Sequence, residues 1–193
     1  MNFLAYNDDS DMKIAGDNFD DLDKHADEKS VEAMAQLLEQ EKQNGNLSRA
    51  RRLGAIMADE VSAVEGSVSP LQESEKNRSL PTQRRILSAF AVEVGLDAYL
   101  PNQLVAQTAQ NIFYDTLHIT SPAFYDDLQG SGAFSFYYLC FREGRQVERR
   151  IGETFATLCG MKEDEEYIRM GQEYYVRFLA QVKHFAQTLG FVI

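Results

Sequence analysis

Tryptophan is absent from this chain of 193 residues, and cysteine occurs twice, histidine three times and proline four times. Two cysteines make no disulfide framework, and the reading is of reduced, buried thiols in a cytoplasmic protein. Placed on one helix, Cys140 and Cys159 would lie about 28 Å apart along its axis, too far to bridge. His25, His118 and His184 stand apart, and none has a glutamate three residues before it. That excludes the Glu-x-x-His di-iron pattern and the His-Glu-x-x-His zinc pattern, and no metal or cofactor is expected. Glycines occur singly within helical patterns, as at Gly144 and Gly152, so no phosphate-cradling loop is present. No apolar run approaches the ~20 residues of a membrane span. Met1–Tyr6 is too short, and too soon followed by acids, to read as a secretory signal.

Positive charge is also scarce. Nineteen Lys and Arg face thirty Asp and Glu, for a net charge of −11. Residues 1–30 hold nine acidic and three basic side chains, net −6, leaving the other 163 residues at net −5. Such a balance argues against direct nucleic-acid binding. It also marks the N-terminal stretch as an acidic arm, poor in apolar residues and without sustained periodicity, over residues 1–29. Phe3, Leu4, Tyr6, Ile14, Phe19 and Leu22 are spaced along it, an acidic-hydrophobic alternation able to dock on a partner groove. Asp21, Asp23, His25, Asp27 and Glu32 match a calcium-loop count, but the turn glycine required at its sixth position is Ala26, so no calcium site is expected.

What the chain does have is helical periodicity. Phe136, Cys140, Gly144, Val147, Ile151, Phe155 and Leu158 recur every three or four residues, as do Tyr167, Gly171, Tyr174, Phe178, Val182, Phe185 and Leu189. With no proline in either stretch and a break at Gly160–Glu163, they predict two long arms, Ala133–Cys159 and Asp164–Leu189, forming an antiparallel hairpin. A 26-residue arm measures about 39 Å. Centring the hairpin on that break brings Gly152 opposite Gly171, which implies a close backbone approach or a ligand slot; a kink or break at Gly144 is the alternative.

Earlier in the chain, Ser30 caps a helix with apolar positions Val31, Met34, Ala35 and Leu38, and Asn44-Gly45-Asn46 ends it. Ala50, Leu53, Met57, Val61 and Val64 mark a second helix, completing a small hairpin over residues 30–65 that either packs beside the bundle or swaps onto a neighbouring chain. Residues 66–81, polar and holding two prolines, read as a linker. Over residues 82–193, helices open at Thr82 (stopped by Gly95), Leu100-Pro101 and Ser121-Pro122, ahead of the two arms. The fold is therefore expected to be all-α: a bundle of about five helices ending in the long hairpin, preceded by the smaller hairpin and the arm.

Three side-chain groups stand out. Aromatics crowd both arms, with Tyr137, Tyr138, Cys140, Tyr174 and Phe178 as the candidate lining of a small-molecule pocket; ordinary core is the competing explanation. Arg142, Arg145 and Arg149 recur along one ridge and are candidates to receive an anion, either an acidic partner segment or the chain's own arm, unless they form a solvated face. His118 ends a helix, where its imidazole complements the dipole. These features rank a non-enzymatic regulatory or adaptor protein, acting through protein contacts and self-association, ahead of a small-molecule sensor. An enzyme using His118 or a tyrosine comes third. A filled core with an exposed apolar patch would favour the adaptor, and a closed cavity between the arms the sensor.

Overall fold

The computed structural model describes residues 19–64, 79–142 and 144–193, with side chains described from residue 31 onward. Among these residues are eight helices and no strand: α1 (Phe19–Gln43), α2 (Asn46–Ala63), α3 (Leu80–Tyr99), α4 (Gln103–Thr120), α5 (Pro122–Gly130), α6 (Ala133–Arg142), α7 (Val147–Leu158) and α8 (Glu165–Leu189). The all-α bundle read from periodicity is thus the fold. None of the described helices is long and apolar enough to cross a membrane.

The chain divides inside α1, at Gln40/Glu41, into two units. In the first, α1 starts at Phe19 rather than at Ser30, so helix extends back into the stretch expected to be an acidic arm without sustained periodicity. Residues 1–18 lie outside the described residues. Along α1, Val31, Met34 and Leu38 are exposed, not the inward face of a hairpin.

The second unit, 41–193, shares one core. The boundary expected at 66–81 does not set α2 apart, because Ala50, Leu53, Met57 and Val61 are fully buried in that core together with Phe90, Phe113, Phe155 and Phe178. Linker residues 65–78 lie outside the described residues. The α2 stripe was legible in the sequence; its partner, chiefly α4, was not. Gly54 explains how close the two helices come: a Cβ there would sit 2.3 Å from the Ala109 carbonyl oxygen. Gly95 does not stop α3, which continues to Tyr99; it lies inside the helix, where a Cβ would meet Val182 at 3.0 Å.

A buried polar clamp ties three chain segments of this unit together. Glu41, only 4% exposed, accepts from Asn46 Nδ2 at 2.6 Å and from Asn102 Nδ2 at 2.9 Å. Asn102 also caps α4, accepting from the Val105 N–H. The Asn46 amide donates to the Val192 carbonyl at 2.8 Å and accepts from the Val192 N–H at 2.9 Å, fastening the segment after α8 to the start of α2. Burying a carboxylate this deeply is tolerated because donors converge on it.

The predicted hairpin is half continuous. Its second arm is the unbroken 25-residue α8, started by Asp164, whose side chain accepts from the Glu166 and Tyr167 N–H groups, and ended by Gly190 at φ 68°. Its first arm is two helices. Gly144 (φ 64°) and Gln146 (φ 50°) are both left-handed, so the chain leaves α6 and turns back as α7. The apolar period runs through the break because α6 and α7 both turn buried residues, Tyr137 and Cys140 on one and Ile151 and Phe155 on the other, into the same core. What remains of the hairpin is α7 against α8, and there the predicted glycine pair meets: a Cβ on Gly171 would lie 3.0 Å from the Gly152 Cα.

Candidate interaction site

The aromatic cluster of α6 is organised by one residue of α3. Phe134, Tyr137, Tyr138 and Phe141, at spacings of three and four, place their rings 5.4, 5.1, 5.1 and 6.1 Å from that of Phe90. Three of the four contacts are edge-on, the arrangement favoured by ring quadrupoles. Tyr137 is fully buried here and its hydroxyl has no hydrogen-bond partner. Burial, with Cys159 and Cys140 nearby, pushes that phenol far above its ordinary range.

Tyr138 leaves the core instead. Its hydroxyl donates to Glu93 Oε1 while that of Tyr114 donates to Oε2, so one carboxylate of α3 straps α4 and α6. Burial and Glu93 together hold both phenols protonated far into alkaline conditions. Phenols so held are not general bases near neutral pH.

None of the hollows described among these residues is lined by all five candidates. Tyr137 and Phe178 are fully buried core, and Tyr138 is strapped to Glu93. Tyr174 is half-buried, with the Arg84 guanidinium 5.6 Å over its ring; that guanidinium also donates to Met170 Sδ at 3.2 Å. Cys140 faces a hollow formed with α7. The seam between α7 and α8 is closed, because Gly152 and Gly171 let the backbones touch where larger side chains would have left gaps.

The arginine ridge is likewise divided by the break at Gly144. Arg142 ends α6 and Arg145 lies in the connection; both are exposed, and neither is ion-paired with a described residue. Arg149, one turn into α7, is turned toward carboxylates: 3.0 Å from Glu153 and 3.6 Å from Glu165 at the start of α8. His118 sits exposed in the last turn of α4, its ring 4.8 Å from that of Tyr125. Cys159 is buried, and burial lifts its thiol to about 12, which makes it an unreactive structural residue. Among the described residues no group of His, Cys, Asp and Glu is arranged to hold a metal ion.

Folding α7 back on α6 creates a feature that a single straight helix would not have. Phe136, Leu139 and Cys140 from α6 face Arg150, Glu153, Thr154, Thr157 and Leu158 from α7 across an open groove of about 390 Å3. The Cys140 Sγ and Thr154 Oγ1 meet at 3.4 Å on its floor. Phe136 is 54% exposed and Leu139 50%, large apolar side chains left in water on the face opposite the Phe90 cluster. The sequence carried a signal for this: α6 has more rings than one helix face accommodates, so some must point away from the core. A second open hollow, of about 410 Å3, lies where α3 and α8 end, lined by Tyr99, Leu100, Ala186 and Phe191, with Lys183 at its rim. Comparison of the chain with protein-family models, with curated proteins and with solved structures finds no match.

Proposed function

We propose that this chain is a non-enzymatic regulatory or adaptor protein that acts through protein contacts, with the α6–α7 groove as its contact site. The observation that carries the reading is the pairing of a buried core with an exposed apolar groove: Phe155, Phe178 and Tyr137 are buried, while Phe136 and Leu139 stay in solvent. Large apolar side chains beside a groove are the usual anchors of protein interfaces.

The test is photocrosslinking from a benzoylphenylalanine placed at Leu139 in the full chain, in its native cell. A defined protein crosslinked from this position, and lost with Phe136→Ser, agrees with the proposal. The opposing result is no protein crosslink together with a metabolite that raises Tm; a ligand at 100 times its Kd adds about 2.7 kcal/mol. A second reading, a small-molecule binding protein, has its support in the hollow at Tyr99 and Phe191, which falls in the size range of ligand sites.

A further inference from the structure

The α6–α7 groove has a direction, and we infer from it that its occupant is a short amphipathic helix of a partner protein carrying acidic residues at one end. This inference rests on the protein-contact reading above and names the kind of partner. Phe136 and Leu139 are three residues apart on α6, and Arg142 follows Leu139 by three more, so the apolar anchors and the first cation share one ridge. Arg145 in the connection adds a second charge at that same end. Arg142 and Arg145 are exposed with no ion pair to a described residue, whereas Arg149 is neutralised by Glu153 and Glu165. At the opposite end the lining is Thr157 and Leu158, with no charge. A helix laid along the groove thus meets Phe136, Leu139 and Leu158, with Arg150 and Glu153 between them, and the exposed side chains of Arg142 and Arg145 at the end next to the α6–α7 connection.

The size of the patch separates this occupant from a second copy of the chain. With Phe136 at 54% and Leu139 at 50% exposure, the patch offers on the order of 200 Å2 of apolar side chain. A stable globular interface buries about 800 Å2 on each partner. A two-fold dimer would also place the same Arg142 and Arg145 on both sides of a self-complementary contact. A single helix docked by two or three anchors suits this area, in the manner of helix-in-groove recognition.

The experiment selects peptides from a display library of about 14 residues, four turns of helix, on the full chain. Binders are then compared on wild type, Leu139→Ser, Phe136→Ser and an Arg142→Ser, Arg145→Ser double variant. All four positions are exposed, so each variant should keep the wild-type Tm. If one of the two groove variants does not fold, the other provides the measurement. Selected sequences should share apolar residues at i and i+3 or i+4 with Asp or Glu at one end. They should bind the groove variants at least tenfold more weakly. The double arginine variant should bind about three- to tenfold more weakly at low salt, with the difference shrinking as salt screens exposed charges. Selected peptides without an acidic end, or unaffected by the arginine changes, overturn the acidic occupant and leave the groove as a contact site. Peptides indifferent to Leu139→Ser and Phe136→Ser overturn both. Failure to enrich any sequence overturns the helical occupant, and a dimer lost on Leu139→Ser then makes a second copy the occupant instead.

Discussion

Replacing Gly152 with alanine adds a single methyl group to the molecule, yet it should cost stability. On the ideal backbone the new Cβ falls 2.3 Å from the Ile168 carbonyl oxygen and 2.8 Å from Gln172 Cγ. Carbon-to-oxygen contacts settle near 3.3–3.6 Å, so α7 and α8 must part by about 1 Å. A gap of that size forfeits a quarter to a half of the dispersion attraction along the seam. Against this stands the gain of about 1 kcal/mol from putting alanine rather than glycine in a helix. Overpacking a seam costs about 1–3 kcal/mol net, and backbone against backbone leaves no flexible side chain to move aside. Urea unfolding should therefore show a lower midpoint at unchanged m, with Tm down by about 3–10 °C. Gly130→Ala is the matched control: that glycine is helical and a Cβ there meets nothing within 4 Å, so stability should hold or rise by up to about 1 kcal/mol. If Gly152→Ala matches or exceeds wild type, the helices are not in backbone contact and the closed seam is wrong.

Gly171→Val should also destabilise, by about 1–3 kcal/mol, because Phe155 Cβ already lies 2.8 Å from where its Cβ would be; denaturant titration reads this directly. Tyr137→Phe should stabilise by about 1 kcal/mol by removing a buried hydroxyl that has no partner, and a loss of stability would mean that the hydroxyl is bonded. Asn46→Ala should cost about 2–4 kcal/mol by orphaning Glu41 and freeing Val192, seen as faster amide exchange after α8. Stability should fall as pH rises: burial lifts Cys159 and Tyr175 to about 12, above their unfolded values, so the folded state resists ionisation that the unfolded chain undergoes. The loss should begin near pH 9 and steepen toward 12 in a Tm-against-pH series, and a flat profile there would contradict the burial of these groups.

Periodicity revealed the helices because a buried face leaves a regular imprint, as with Ala50, Leu53, Met57 and Val61 on α2 and Ile86, Leu87 and Phe90 on α3. The same imprint runs on across the break between α6 and α7, which Gly144 had suggested as the alternative to one unbroken arm. Both helices turn apolar residues to one core, so the pattern carried through Gly144 undisturbed, and only the glycine hinted at a left-handed residue. The glycine pair at Gly152 and Gly171 was legible from hairpin symmetry alone. That α2 packs on α4 was not, since the choice between packing and swapping depends on contacts distant in sequence. Of the site, the surplus of rings on α6 was visible, but which ring enters the core and which faces water depends on Phe90, some fifty residues away. The arginine spacing suggested one ridge on a single helix; the break divides it, turning Arg149 toward Glu165 and leaving Arg142 and Arg145 exposed.

The proposed contact site is tested most directly by mapping amide and methyl chemical shifts in the full chain as the protein crosslinked from position 139 is added. The proposed site predicts perturbations centred on Phe136, Leu139, Thr154 and Thr157, reaching Arg142 and Arg145, with the buried seam at Gly171 and Phe178 unmoved. Perturbations centred instead on Tyr99, Lys183 and Phe191, with the α6–α7 groove silent, would contradict it.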